Sequence, residues 1–137
     1  MTERPGFDLQ KAEIRTMEVA SGGSAVKYRL AVFGSADDEC NLAAAGAAAI
    51  GVFLDDGSPG DKVRVILLGG NGRILVLVGT GGATRGVRAK GVADGVTDAT
   101  LVAGGTTLTH IPGFFMESGV AGDVVGFRPA LMVGTEA

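Results

Sequence analysis

From Val26 onward, apolar and polar positions alternate in short stretches. Tyr28, Leu30 and Val32 interleave with Lys27, Arg29 and Ala31, the period of two that predicts a half-buried β-strand ending near Phe33 and Gly34. Residues 35–39 read as a turn. Residues 42–49 are Ala-rich, yet Gly46 interrupts them and they run straight into Ile50-Gly-Val-Phe-Leu54, so strand with loop is preferred to helix. The runs 63–68 and 74–78 flank Gly69-Gly-Asn-Gly72, and Asn-Gly readily takes the positive φ angles of a tight turn, so the two runs are expected to pair as a hairpin. Both runs are apolar on both faces, which requires cover from a second sheet or another subunit. Later strands are predicted around residues 87–89, 101–102 and 106–109, then 114–116 and 124–127, with Pro129 suited to an edge or a bulge.

One pattern occurs twice. Gly51-Val-Phe-Leu-Asp-Asp-Gly57-Ser-Pro-Gly60-Asp61 returns as Gly113-Phe-Phe-Met-Glu-Ser-Gly119-Val-Ala-Gly122-Asp123, and the steps from Gly51 to Gly113 and from Asp61 to Asp123 are both 62 residues. Each copy reads as an apolar strand, a turn of Gly and acidic residues, and a second apolar strand, which is a β-hairpin or β-corner. Upstream, Val32-Phe-Gly34-Ser-Ala-Asp37 resembles Val92-Ala-Asp-Gly95-Val-Thr-Asp98 at a slightly shorter offset. The expected fold is therefore all-β: a small barrel-like or sandwich-like domain over residues 26–137, built of two similar halves at about 26–70 and 87–133. Residues 1–25 stand apart, with Pro5, several charges, Ser21-Gly-Gly-Ser24 and no period of two. They read as an N-terminal arm, either a short helix with Leu9, Ile14 and Met17 on one stripe or a segment that orders on a partner.

Composition narrows the classes. The 137 residues suit one domain, and 46% apolar with only 5% aromatic residues and 24 Gly fits many short strands with many turns. Twelve Lys and Arg against fifteen Asp and Glu argue against nucleic acid as a partner, since phosphate binding needs clustered cations. Arg85, Arg88 and Lys90 are the densest basic group, and they read as a solvated loop. The single Cys40 makes no internal disulfide, and no metal-ligand spacing occurs, so neither a metal nor another cofactor is expected. No secretory h-region opens the sequence and no run of 18 apolar residues spans a bilayer, so no membrane role is expected.

Candidate chemistry is sparse. Arg73-Ile-Leu-Val-Leu-Val-Gly79-Thr-Gly81-Gly82-Ala-Thr-Arg-Gly86 resembles a dinucleotide-binding strand and turn, but Thr84 stands where the third glycine belongs, and Gly86, Gly91 and Gly95 deny the following helix. His110 is the only histidine and lacks a neighbouring nucleophile signature. Cys40 lies in Asp37-Asp-Glu-Cys40-Asn, where carboxylates disfavour the thiolate. Asp37, Asp38 and Glu39, or Asp55 and Asp56, could offer oxygens to Ca²⁺, but their order is not that of a calcium loop and turn carboxylates commonly bind backbone N–H groups. Duplicated architecture without duplicated chemistry points to a surface function, not to an enzyme.

The stretch Ala48-Ala-Ile-Gly51-Val-Phe-Leu-Asp-Asp-Gly-Ser-Pro-Gly60-Asp61-Lys-Val-Arg-Val65 resembles the core of the small head decoration, or capsid cement, proteins of tailed bacteriophages. There too it follows a strand like Lys27-Tyr-Arg-Leu-Ala-Val32 and a small turn. The resemblance covers about residues 26–70, and the second half through its echo at 113–125. It implies a β-rich virion protein on the outer surface of the icosahedral head, commonly trimeric, that clamps neighbouring copies of the major capsid protein without catalysis; the duplication leaves monomer or dimer open. On this reading Arg4, Phe7, Leu9, Ile14, Arg15 and Met17 of the arm are expected to touch the capsid, and Arg85, Arg88, Leu101 and His110 to touch neighbouring copies of the chain. Two alternatives stand beside it: a ligand-binding β-barrel or enzyme using the loop 79–86 and His110, and a self-assembling tail or tube subunit using the apolar run 63–78.

Overall fold

The computed structural model of the protein describes residues 13–45, 47–68, 74–92, 97–98 and 107–136. Every regular element among them is a strand, so the all-β expectation holds. The first five strands are β1 (Ile14–Val19), β2 (Leu30–Phe33), β3 (Glu39–Leu42), β4 (Gly51–Phe53) and β5 (Lys62–Leu67), closed as a barrel in the order β1-β3-β2-β4-β5. Parallel pairing of β1 with β3 and antiparallel pairing of β1 with β5 complete the ring. Alternate side chains fill its interior: Met17, Val19, Ala31, Cys40, Phe53, Val63 and Val65 are all buried in one apolar cluster.

Two expectations are corrected here. The arm reading fails from Ile14 on, because Ile14–Val19 is a barrel strand with Met17 and Val19 inside; residues 1–12, and with them Arg4, Phe7 and Leu9, lie outside the described residues. The hairpin expected between 63–68 and 74–78 does not form. Both edges of β5 are already taken by β1 and β4, and the second run pairs instead with a strand fifty residues later in the chain, so the Gly69-Gly-Asn-Gly72 segment joins two units.

The second unit comprises β6 (Ile74–Leu77), β7 (Arg88–Gly91), β8 (Thr97–Asp98), β9 (Thr107–Phe115) and β10 (Val124–Glu136), in the order β6-β10-β9-β7-β8. This is the neighbour order of the first unit, strand for strand, with one difference: β6 and β8 sit at opposite ends, and no pairing joins them among the described residues. A register shift between Pro129 and Met132 marks the bulge that Pro129 suggested.

The likeness of the units extends to single hydrogen bonds. Ala25 and Gly57 exchange N–H···O bonds at 3.0 Å each, as Ala83 and Gly119 do at 2.9 and 3.1 Å. The Tyr28 N–H donates to the Phe53 carbonyl and the Gly86 N–H to that of Phe115; the Gly60 N–H donates to Val19 and the Gly122 N–H to Val78. The Asp61 carboxylate accepts from the Ser58 N–H at 2.8 Å, and Asp123 accepts from the Val120 N–H at 2.9 Å. Tyr28 and Gly86 share a left-handed backbone, with φ of 70° and 83°, so the first unit holds a tyrosine where the conformation favours glycine. The repeated unit therefore starts upstream of the motif visible in the sequence, at β1 and β6.

What the open seam of the second unit holds is the first unit. The inward residues of the second sheet, Val76, Val78, Ala89, Phe115, Val125 and Phe127, share one apolar cluster with Leu30, Val52, Leu54, Ile66 and Leu68 from the outside of the barrel. The Leu77 N–H donates to the Tyr28 carbonyl at 2.9 Å, where the Glu18 N–H, its counterpart in β1, donates to Asp38 across the closing β1–β3 seam. Leu30 reaches the position where a Cβ on Gly91 would stand, 3.0 Å away. Burial of each of these large apolar side chains contributes about 2 kcal/mol, so the contact between units is a core and not a hinge.

Candidate interaction surface

The two units expose their equivalent faces very differently. In the barrel, β2, β4 and β5 align Leu30, Val52 and Ile66 in one cross-strand row, at 1, 0 and 0% exposure beneath the second unit. The same row in the second unit, set by β7, β9 and β10, is Arg88, Phe114 and Arg128. Here Arg88 and Arg128 are exposed and Phe114 is half-buried. Met116 follows on the same face at 41% exposure, beside Val124 at 42%. A shallow depression of about 530 Å³ adjoins them, lined by Thr84, Arg85, Met116, Glu117 and Ser118.

Turn carboxylates hold the backbone. Asp55 accepts from the Arg64 backbone N–H at 2.9 Å and takes two further bonds from its guanidinium at 3.0 and 2.8 Å; Glu117, its counterpart, accepts from the Gly126 N–H at 2.8 Å. Asp56 accepts from the Lys27 N–H, Glu39 from the Ala36 N–H, and Asp38 pairs with Arg15. Four of the carboxylates weighed as calcium ligands, Asp38, Glu39, Asp55 and Asp56, are thus engaged in turns and ion pairs. The guanidinium bonds of Arg64, above all, hold the Asp55 carboxyl below its ordinary value against the opposing effect of partial burial. Since the unfolded carboxyl titrates higher, this contribution is present above the ordinary carboxylate pKa and is lost as pH falls through the lowered one. Asp55→Asn is expected to lower the melting temperature at pH 7 by about 2–3 °C, a small effect because Asp55 is one-third and Arg64 more than half exposed, with the gap closing as pH falls below the ordinary carboxylate range. Thermal melts of both proteins across this range check it; a gap independent of pH would show that the charge contributes nothing.

The sequence-derived candidates fall in scattered places. Met17 is 1% exposed inside the barrel, so it cannot touch a capsid in the folded chain. Ile14 is 41% exposed and pairs with Ile66 at the barrel's outer edge; Arg15 is exposed beside Asp38. Arg85 and Arg88 are both exposed on the second unit. Leu101 lies outside the described residues, and His110 stands opposite Val133 in the β9–β10 ladder. Cys40 is buried, and burial first, then the Glu39 carboxylate, push its thiol up. The glycine loop after β6 makes a turn and the Ala83–Gly119 bridge and then enters β7, so a strand stands where a dinucleotide site needs a helix. Phe114 and Arg128, central to the outer row, were not singled out in the sequence.

A closed five-stranded unit docked into the open side of its own repeat defines a tandem all-β module. That fold is shared with the head fiber gp8.5 N base of bacteriophage phi29, a crystal structure matched with a TM-score of 0.68 at 21% identity, over 87% of this chain and 94% of that one. No family model and no curated protein matches the sequence.

Proposed function

We propose that the chain is a structural protein of a phage head, and that it binds the outer surface of the assembled shell as a decoration or cement protein, with the major capsid protein as its partner. The observation that carries the reading is the fold match to a head fiber base, which spans nearly all of both chains. The resemblance of residues 48–65 to decoration proteins points the same way from sequence alone. The architecture suits such a role, because the barrel is filled with side chains, the two units share one core, and the second unit exposes Arg88 and Arg128 where the first buries Leu30 and Ile66. Binding repeated over an icosahedral surface multiplies modest single contacts by avidity. Purified chain added to phage heads assembled without it is expected to co-sediment with expanded shells up to a fixed number of copies and to raise the temperature at which they rupture. Chain that stays in the supernatant of both expanded and unexpanded shells contradicts the reading.

A further inference from the structure

We propose that the outward face of the second unit, with Arg88, Phe114 and Arg128 in one row and Met116 beside it, is the surface that docks on the shell, and that it takes an acidic segment of the major capsid protein. This rests on the reading above that the chain is a head protein. The expected partner places an apolar side chain against the Phe114 ring and carboxylates on the two flanking guanidiniums.

Three observations carry this. First, the duplication supplies an internal control: the same row in the first unit is an interface, with Leu30, Val52 and Ile66 buried beneath the second unit. Second, the face in the second unit is not built as a solvated one. On this face of β5 the first unit carries an exposed Lys62; the equivalent position in β10 is Val124, 42% exposed. Arginine, phenylalanine and methionine together are the residues enriched where protein surfaces bind, while lysine is depleted there. Third, the charge at this face selects the partner. In the first unit Arg15, Lys62 and Arg64 pair with Asp38, Glu18 and Asp55, and none of these ion pairs involves Arg88 or Arg128. Covering those two guanidiniums with another protein requires carboxylates, which Arg receives in a fixed planar geometry. Neighbouring strands lie about 4.8 Å apart, so the two arginines leave the sheet about 10 Å apart with the ring between them. That is the spacing the partner's carboxylates must meet.

The test measures binding of fluorescent full-length chain to expanded heads assembled without it, over a range of salt. Wild-type chain is expected to saturate the heads with an affinity that falls as salt rises. Arg88→Glu/Arg128→Glu is expected to weaken binding on the order of a hundredfold, and Phe114→Ala about tenfold. Lys27→Glu/Lys62→Glu, which changes net charge equally on the first unit, is expected to stay within about threefold. Circular dichroism and melting confirm that each variant is folded. The inference is overturned if the folded double-arginine variant binds like wild type, or if both charge-reversed variants weaken binding alike. It is also overturned if Arg88→Glu/Arg128→Glu lowers the mass of the free protein in sedimentation, because the face is then occupied by a second copy. Failure of wild-type chain to bind any head overturns the functional reading itself, which separates the two.

Discussion

Gly113→Ala is expected to disrupt the second unit, with a loss of at least about 3 kcal/mol and a fall in melting temperature of about 10 °C or more. A Cβ at Gly113 would stand 2.0 Å from the Arg128 carbonyl oxygen and 2.8 Å from the Phe127 ring, and at Gly51 it would stand 2.1 Å from the Ile66 carbonyl oxygen. Backbone atoms cannot swing aside as the end of a long side chain can, so one strand must leave its ladder. The contrast is Gly122→Ala, where the left-handed φ of 90° is unfavourable but nothing lies within 4 Å of the new Cβ. That change is expected to cost about 1 kcal/mol. Chemical denaturation of the two variants beside wild type decides the matter: equal losses would show that the close approach at Gly113 relaxes freely, and that the repeated glycines serve only turn geometry.

The second large effect concerns the contact between the units. Val52 is fully buried and points out of the barrel into the apolar cluster shared with the second sheet. Val52→Asp puts a carboxylate into that cluster, and an unpartnered buried charge costs several kcal/mol even after its pKa rises. The barrel's own interior, Met17, Phe53, Val63 and Val65, is untouched by the change. Hydrogen exchange is therefore expected to show lost protection in β6, β7, β9 and β10, with protection largely kept in β1 and β5. The equivalent substitution Phe114→Asp falls on a half-buried position and is expected to leave the folded protein within about 1 kcal/mol of wild type. Uniform loss of protection in Val52→Asp would mean that the barrel cannot stand without the second unit.

The parts legible in the sequence were those fixed by local chemistry. The duplicated Gly–Asp motif was visible because turn geometry and the close strand crossing demand the same residue types in both copies: Gly51 and Gly113 at the crossing, Gly60 and Gly122 at positive φ, Asp61 and Asp123 capping the turn. β1 was missed although Met17 and Val19 alternate with Thr16 and Glu18, because the charges around them and Gly22-Gly23 dominated the composition of that stretch. Its likeness to Ile74-Leu-Val-Leu-Val78 was the available signal. The false hairpin arose from a sound local cue, Asn71-Gly72, which says nothing about whether the flanking strands already have partners on both edges. The outer row could not be read at all. Arg88, Phe114 and Arg128 become neighbours only through the registers of β7, β9 and β10, and their meaning appears only when the same row of the first unit is seen buried.

The head-protein reading meets its most direct test in electron cryomicroscopy of expanded heads incubated with the chain. Added density is expected outside the shell at regular positions, two-lobed as the paired units require, with the second unit's Arg88 face toward the capsid. A shell whose outer surface is unchanged, or density found only within the head or along a tail, would contradict it.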